Sequence, residues 1–394
     1  MPELLRYLAM AGDLFGPLRV FESITVRAAL GVVLAFMATL LLGPIFIRRM
    51  MARCATEDVD KPDAAKLGEL HGVKKGTPTM GGLFLVASVS ISIFLCCDPA
   101  NPLVWVGQFV FVGFAALGFV DDYWKLRGWG KKGLVKRDKF LGETVLALVA
   151  VALLAWGSSA GWFGMTAPPK GDREADFEEV TNERNLVAPT KLVIPFTKWN
   201  EVNPDLGAAY WIFAALIIVA CSNAVNLTDG LDGLATGSTA MVAVTYSILA
   251  YIAGNTVVCA FFRIPMVPGA SELLIFGAAL FGGLFGFLWY NANPARVFMG
   301  DTGSLALGAA LAYLAIVTKQ ELTLIVAGGI FVFEALSVIL QVASFRLFGK
   351  RLFKIAPFHH HLEYSGWKEN HVVVRLWIIG AILSIISLGL LKMH

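Results

Sequence analysis

The chain has 394 residues; 57% are hydrophobic, only 15% are charged, and the formal net charge is +3. Soluble domains average roughly 25% charged residues, so this composition excludes a protein that presents a polar surface to water on all sides. The small net charge discriminates little, whereas its distribution along the chain is informative.

In chain order, the start carries Glu3, Arg6, Asp13, Arg19 and Glu22 and is amphipathic. It lacks the basic stretch and unbroken apolar stretch of a signal peptide. Ten apolar runs follow, at 24–47, 80–97, 103–120, 140–157, 208–225, 237–253, 273–290, 304–317, 322–347 and 372–391. A helix needs about twenty apolar residues to cross a hydrocarbon core of roughly 30 Å. Continuous runs without alternation point to helices and away from barrel strands. The expected fold is an all-α polytopic membrane protein of about ten transmembrane helices, forming a single membrane domain over 1–394 with no clear internal repeat.

Lysine and arginine concentrate at 48–75, 125–139 and 346–368, which ten spans put on one side. The opposite side carries short loops and an acidic insert at 168–206. The positive-inside rule then places the basic loops in the cytoplasm and both termini on the outer, periplasmic or extracellular side. The insert has a strand-like piece at 191–196 and turn residues, which fit either a small hairpin or a partly ordered loop. The cysteines Cys54, Cys96, Cys97, Cys221 and Cys259 form no C-x-x-C pair, so neither a disulfide framework nor a zinc site is expected.

The polar motifs all fall on the basic side. Lys74-Lys75-Gly76-Thr77-Pro78-Thr79-Met80-Gly81-Gly82 leads into the second span and offers backbone amides and lysines to an anion. Asp121-Asp122-Tyr123-Trp124-Lys125 closes the third; adjacent carboxylates repel unless a cation separates them, and they oppose the helix dipole there. The basic run Lys131, Lys132, Lys136, Arg137 and Lys139 follows, suited mostly to lipid headgroups, with one or two members left for a ligand. Asn223, Asn226, Asp229 and Asp232 recur every third residue at the end of the fifth span, setting polar oxygens along one helix stripe. In the segment from Asn291 to Ser304, Phe298 is available to stack on a flat base, and Asp301 stands where a helix N-cap would. His359, His360 and His361 are consecutive, so they point in different directions and suit phosphate contacts or proton transfer rather than one metal. Aspartate and asparagine oxygens favour magnesium, which completes its shell with water and substrate phosphate, so the natural substrate is a phosphate or diphosphate.

Taken together, Thr77-Pro78-Thr79-Met80-Gly81-Gly82, Asp121-Asp122-x-x-Lys125, Asn226-Leu227-Thr228-Asp229-Gly230-Leu231-Asp232-Gly233, Phe298-Met299-Gly300-Asp301-Thr302-Gly303-Ser304 and Pro357-Phe358-His359-His360-His361 resemble the phospho-N-acetylmuramoyl-pentapeptide transferases of the polyprenyl-phosphate N-acetylhexosamine-1-phosphate transferase superfamily. Each motif is weak alone; five in order are specific. The resemblance implies an inner-membrane enzyme of peptidoglycan synthesis, often dimeric, with its site facing the cytoplasm and no nucleic-acid partner. It would transfer phospho-MurNAc-pentapeptide from UDP to undecaprenyl phosphate, giving lipid I and UMP. It implies Asp301 as the magnesium ligand, with Asp121, Asp122 and Asp229 as further candidates. Asp121, Asp122, Asp229, Asp301 and His360 are the implied catalytic set. The implied substrate contacts are Lys74, Thr79, Lys125, Lys139, Asn223, Asn226, Asp232, Asn291, Phe298, Ser304, Gln341, His359 and His361. The insert at 168–206 is longer than in familiar members.

Two other readings compete. A related transferase would hand UDP-N-acetylglucosamine to the same lipid. An ion-coupled transporter would instead place acids at mid-span and often repeat its halves.

Overall fold

The computed structural model describes residues 20–52, 77–128, 133–167, 186–195 and 203–392. Lys74, Lys131, Lys132, Cys54, the first nineteen residues and most of the insert lie outside the described residues. The long helices are α1 (Ile24–Ala52), α3 (Pro102–Arg127), α4 (Lys136–Ser159), α5 (Ala208–Thr228), α6 (Leu234–Gly254), α8 (Leu273–Asn291), α9 (Gly300–Val317), α11 (Gly329–Phe348) and α13 (Glu369–Gly389). Shorter ones are α2 (Gly82–Cys96), α7 (Thr256–Phe262), α10 (Thr323–Ala327) and α12 (Phe358–Tyr364). Among the described residues, nine helices are long and apolar enough to cross a membrane, and the 15-residue α2 is apolar but shorter. Each expected span thus meets a helix, and the chain is a multi-pass membrane protein.

Helix boundaries differ from the hydropathy reading for local reasons. Asn101 caps α3 by accepting from Leu103 N at 2.9 Å, and Pro102 follows at its first turn. At its other end α3 runs on through Asp121 and Asp122 to Arg127. The run at 322–347 breaks at Gly328 into α10 and α11.

Helix α9 forms the centre. Every residue from Thr302 to Val317 is buried, and α2, α3, α5 and α6 pack around it. Helix α1 lies against α8 and α2, and α13 against α6. On α1 the exposed apolar side chains Val33, Met37, Leu41 and Ile45 recur every fourth residue, one stripe facing away from the bundle. An exposed apolar stripe on a helix of this length suits lipid contact.

At the end remote from the polar motifs, Arg27 pairs with Glu272, Nη1 to Oε2 at 2.9 Å. There the two-residue strands β1 (Met165–Thr166) and β2 (Leu186–Val187) pair antiparallel, Met165 opposite Val187. The described part of the insert places a strand at 186–187, and the stretch from Lys191 runs against 203–205 through an isolated bridge to Asp205 and bonds from Leu192 N to Pro204 O at 3.0 Å and Ile194 N to Asn203 Oδ1 at 2.9 Å. The fully buried Lys319 fastens this part, donating to Pro189 O at 2.8 Å and pairing with Glu321 at 3.0 Å. Burial holds the Lys319 amine below its usual range, against the pull of the Glu321 carboxylate.

Candidate active site

Chain alternation brings the end of α3, the start of α4, the end of α5 and the start of α9 to one end of the bundle. Four side chains meet there. Lys125 Nζ lies 2.9 Å from Asp121 Oδ2 and 2.9 Å from Asp301 Oδ2. Lys139 Nζ lies 2.6 Å from Asp301 Oδ2 and 3.5 Å from Asp121 Oδ2. Asp121 Oδ1 also accepts from Leu134 N at 2.6 Å, and Asp301 Oδ1 from Asn226 Nδ2 at 3.1 Å. Among the described members of the basic run, Lys139 turns inward, while Lys136 and Arg137 are exposed.

Asp122 faces the same cluster but works differently. Its carboxylate accepts from Asp301 N at 3.2 Å, Thr302 N at 2.9 Å and the Thr302 hydroxyl at 2.7 Å. The two N–H groups belong to the first turn of α9, so Asp122 on α3 caps a neighbouring helix. Asp301, placed at an N-cap by its position in the sequence, instead sits inside that first turn with its carboxylate directed at the lysines. There the helix dipole favours its charge.

Asp121, Asp122 and Asp301 each bring an oxygen within 4.8 Å of the others, an arrangement able to hold a metal ion. Three hard carboxylates suit magnesium. Asp122 is tied to the backbone of α9, whereas Asp121 and Asp301 share the two lysine side chains, contacts that an incoming cation can displace more readily than main-chain ones. With all groups ionised, three carboxylates face two ammoniums, which leaves an excess negative charge for a cation. Asp229 is not in this group. It caps the end of α5, one turn past Asn226, and the helix stops there. The three-residue stripe therefore holds for Asn223 and Asn226, and Asp232 follows in the next turn.

Several expected substrate contacts make internal bonds. Asp232 Oδ2 accepts from Asn293 Nδ2 at 3.2 Å and Ala295 N at 3.0 Å, tying the turn after α5 to the loop after α8. Asn291 accepts from Thr236 Oγ1 at 2.6 Å and donates to Val297 O at 3.0 Å, fixing the same loop. Gln341 accepts from Leu352 N and Phe353 N, at 3.0 and 2.8 Å, and holds the segment before α12. Ser304 donates to Gly300 O at 3.0 Å and is fully buried. Thr79 is buried, and its neighbours pair with the loop before α9: Phe298 N donates to Pro78 O at 2.9 Å and Gly81 N to Phe298 O at 2.8 Å. The half-buried Phe298 ring is held at the site's end of the bundle by this short ladder.

The three histidines face three partners. His359 is fully buried, its Nδ1 3.1 Å from Glu334 Oε2, and its backbone N–H also points at that carboxylate. A Cβ on Gly230 would lie 2.3 Å from His359 Nε2, so only glycine lets the ring approach the turn after Asp229. His360 Nδ1 lies 2.9 Å from Glu363, and His361 Nδ1 accepts from Lys354 N at 3.2 Å. His360 is the partly exposed one of the first two.

Sequence reasoning missed Thr302, Glu334 and Glu143. Glu143 is a buried acid on α4 whose Oε2 accepts from Asn223 Nδ2 at 2.5 Å. A lone acid inside an apolar run was the available signal for both glutamates.

Residues 104–319 match the family described as Glycosyl transferase family 4, and residues 74–86 match signature 1 of the phospho-N-acetylmuramoyl-pentapeptide-transferases. The chain is similar to a protein of Maridesulfovibrio salexigens named phospho-N-acetylmuramoyl-pentapeptide-transferase, 41% identical over 381 residues. That similarity covers 96% of this chain and 96% of the relative.

Proposed function

Since the chain belongs to the phospho-N-acetylmuramoyl-pentapeptide transferase family, we propose that it moves phospho-MurNAc-pentapeptide from UDP-MurNAc-pentapeptide to undecaprenyl phosphate. The products are lipid I and UMP, at the first membrane step of peptidoglycan synthesis. The observation that carries this reading is the meeting of Lys125, Lys139, Asp121 and Asp301 from three separate long helices. Such a cluster suits a diphosphate at a membrane boundary, whereas a transporter would want its acids at mid-span. The basic segments at the same end support a cytoplasmic site in the inner membrane.

In the reaction, an oxygen of the lipid phosphate forms a bond to the sugar-linked phosphorus. The bond from that phosphorus to the bridging oxygen breaks, and UMP leaves with the electron pair. Magnesium, held by Asp301 and Asp121, would supply positive charge to the diphosphate oxygens. Lys125 and Lys139 hold the reacting phosphates and offset the charge that builds on them, the main source of phosphoryl-transfer catalysis. Asp122 keeps the start of α9, and with it Asp301, in register with α3. Phosphate monoesters have a second pKa of about 6, so the nucleophile is mostly ionised at neutral pH and needs no strong base. Phe298 and Asp229 are proposed to contact the uridine, and His360 the phosphates.

The test is UMP release by the purified full chain. It is expected with UDP-MurNAc-pentapeptide only when undecaprenyl phosphate and magnesium are both present, and lost with a chelator. Release from UDP-N-acetylglucosamine instead would favour the related transferase, and no release from either would reject the reading.

A further inference from the structure

Glu143 lies one helical turn beyond Lys139 on α4, so the two side chains leave the same helix face. It is 1% exposed on a helix long and apolar enough to cross the membrane. A carboxylate there is costly unless something holds it. Its Oε2 accepts from Asn223 Nδ2 at 2.5 Å, and the same nitrogen donates to Val219 O at 2.9 Å.

Those two neighbours decide which way the Asn223 amide points. A backbone carbonyl can only accept, and so can an ionised carboxylate, so the NH2 group must face both. With both N–H bonds used, Asn223 has only its Oδ1 left to offer. Asn223 stays partly exposed, one turn before Asn226, whose own Nδ2 donates to Asp301 at 3.1 Å. Among the described residues, the second oxygen of Glu143 is buried with no hydrogen bond, and Lys139, Asp301 and Asp121 are its charged neighbours.

We propose that Glu143 is a positioning residue of the transfer centre: together with Val219 O it accepts from Asn223 Nδ2 and locks the amide so that the oxygen, not the nitrogen, faces the substrate. Asn223 then selects a ligand group that donates, such as a hydroxyl or amide N–H of the sugar donor. This rests on the transferase reading above.

The experiment is a double-mutant cycle on kcat/KM for UMP release by the full chain in detergent, with thermal unfolding followed alongside. Buried hydrogen bonds to charged groups set the scale, so Glu143→Leu and Asn223→Ala should each lose on the order of 10- to 100-fold. The double variant should lose no more than the worse single one, within about threefold, because the two residues act as one unit. Glu143→Gln keeps a neutral acceptor and should fall only about threefold. Losses that multiply, or Glu143→Gln falling as far as Glu143→Leu, would overturn the assignment. If Glu143→Leu does not fold, Glu143→Ser, too short to reach the amide, replaces it in the cycle. An inactive wild type would refute the transferase reading itself, before any variant is compared.

Discussion

Asp121 is fully engaged as a charge. One oxygen accepts from Leu134 N and the other faces both ammoniums, Lys125 at 2.9 Å and Lys139 at 3.5 Å. A carboxylate so placed holds both lysines in position. Asparagine would keep the size and one accepting oxygen while losing the charge that balances the two lysines. Asp121→Asn is therefore expected to lower kcat by about 100- to 1000-fold, on the scale of losing one preorganised electrostatic group. UMP release followed across pH should keep the rise near pH of about 6 that belongs to the lipid phosphate, with no recovery at high pH. Full recovery in alkaline buffer would make Asp121 a proton acceptor instead. The identity of this residue as a site candidate was legible in the sequence, because paired acids at a membrane boundary have few other uses. The division of labour between Asp121 and Asp122 was not. It depends on Thr302, 180 residues away, which no local pattern connects to Asp122.

Helix α3 meets α9 backbone to backbone. A Cβ on Gly118 would lie 2.2 Å from Asp301 O, an unyielding main-chain atom, so the crossing needs a residue without a side chain. Gly118→Val must push the helices apart, at a cost of about 1–3 kcal/mol or more for overpacking. It should lower the unfolding midpoint in detergent and abolish UMP release by drawing Asp301 from Lys125 and Lys139. At Gly113 on the same helix, a Cβ meets only the Leu146 side chain at 3.2 Å. Gly113→Ala should therefore change neither readout much, and equal effects at the two positions would contradict this account. The existence of the helices was readable from apolar runs, which report membrane length directly. Their crossings were not, because a glycine at a contact and a glycine facing lipid look alike in one sequence. The same limit hid the loop-fastening hydrogen bonds that Asn291 and Gln341 make, which the expectation of ligand contact at these residues did not include.

Across the whole molecule the polar chemistry lies at one end and the Arg27, Glu272, Lys319 and insert contacts at the other. If the basic end is cytoplasmic, a cysteine at Ser365 should react with a membrane-impermeant maleimide only from the inner side, and one at Pro99 only from the outer side. The comparison needs inverted and right-side-out vesicles in a Cys54→Ser background, since Cys96, Cys97, Cys221 and Cys259 are buried. The reverse pattern would invert the topology and deny the site its soluble donor. The fastening of α9 by Asp122 also bears on how such a protein can change over generations. Segments 121–125 and 300–302 are distant in the gene yet form one mechanical joint, so neither can drift without a matching change in the other. A hybrid that spliced two diverged homologues between α4 and α5 would inherit its halves of that joint from different parents.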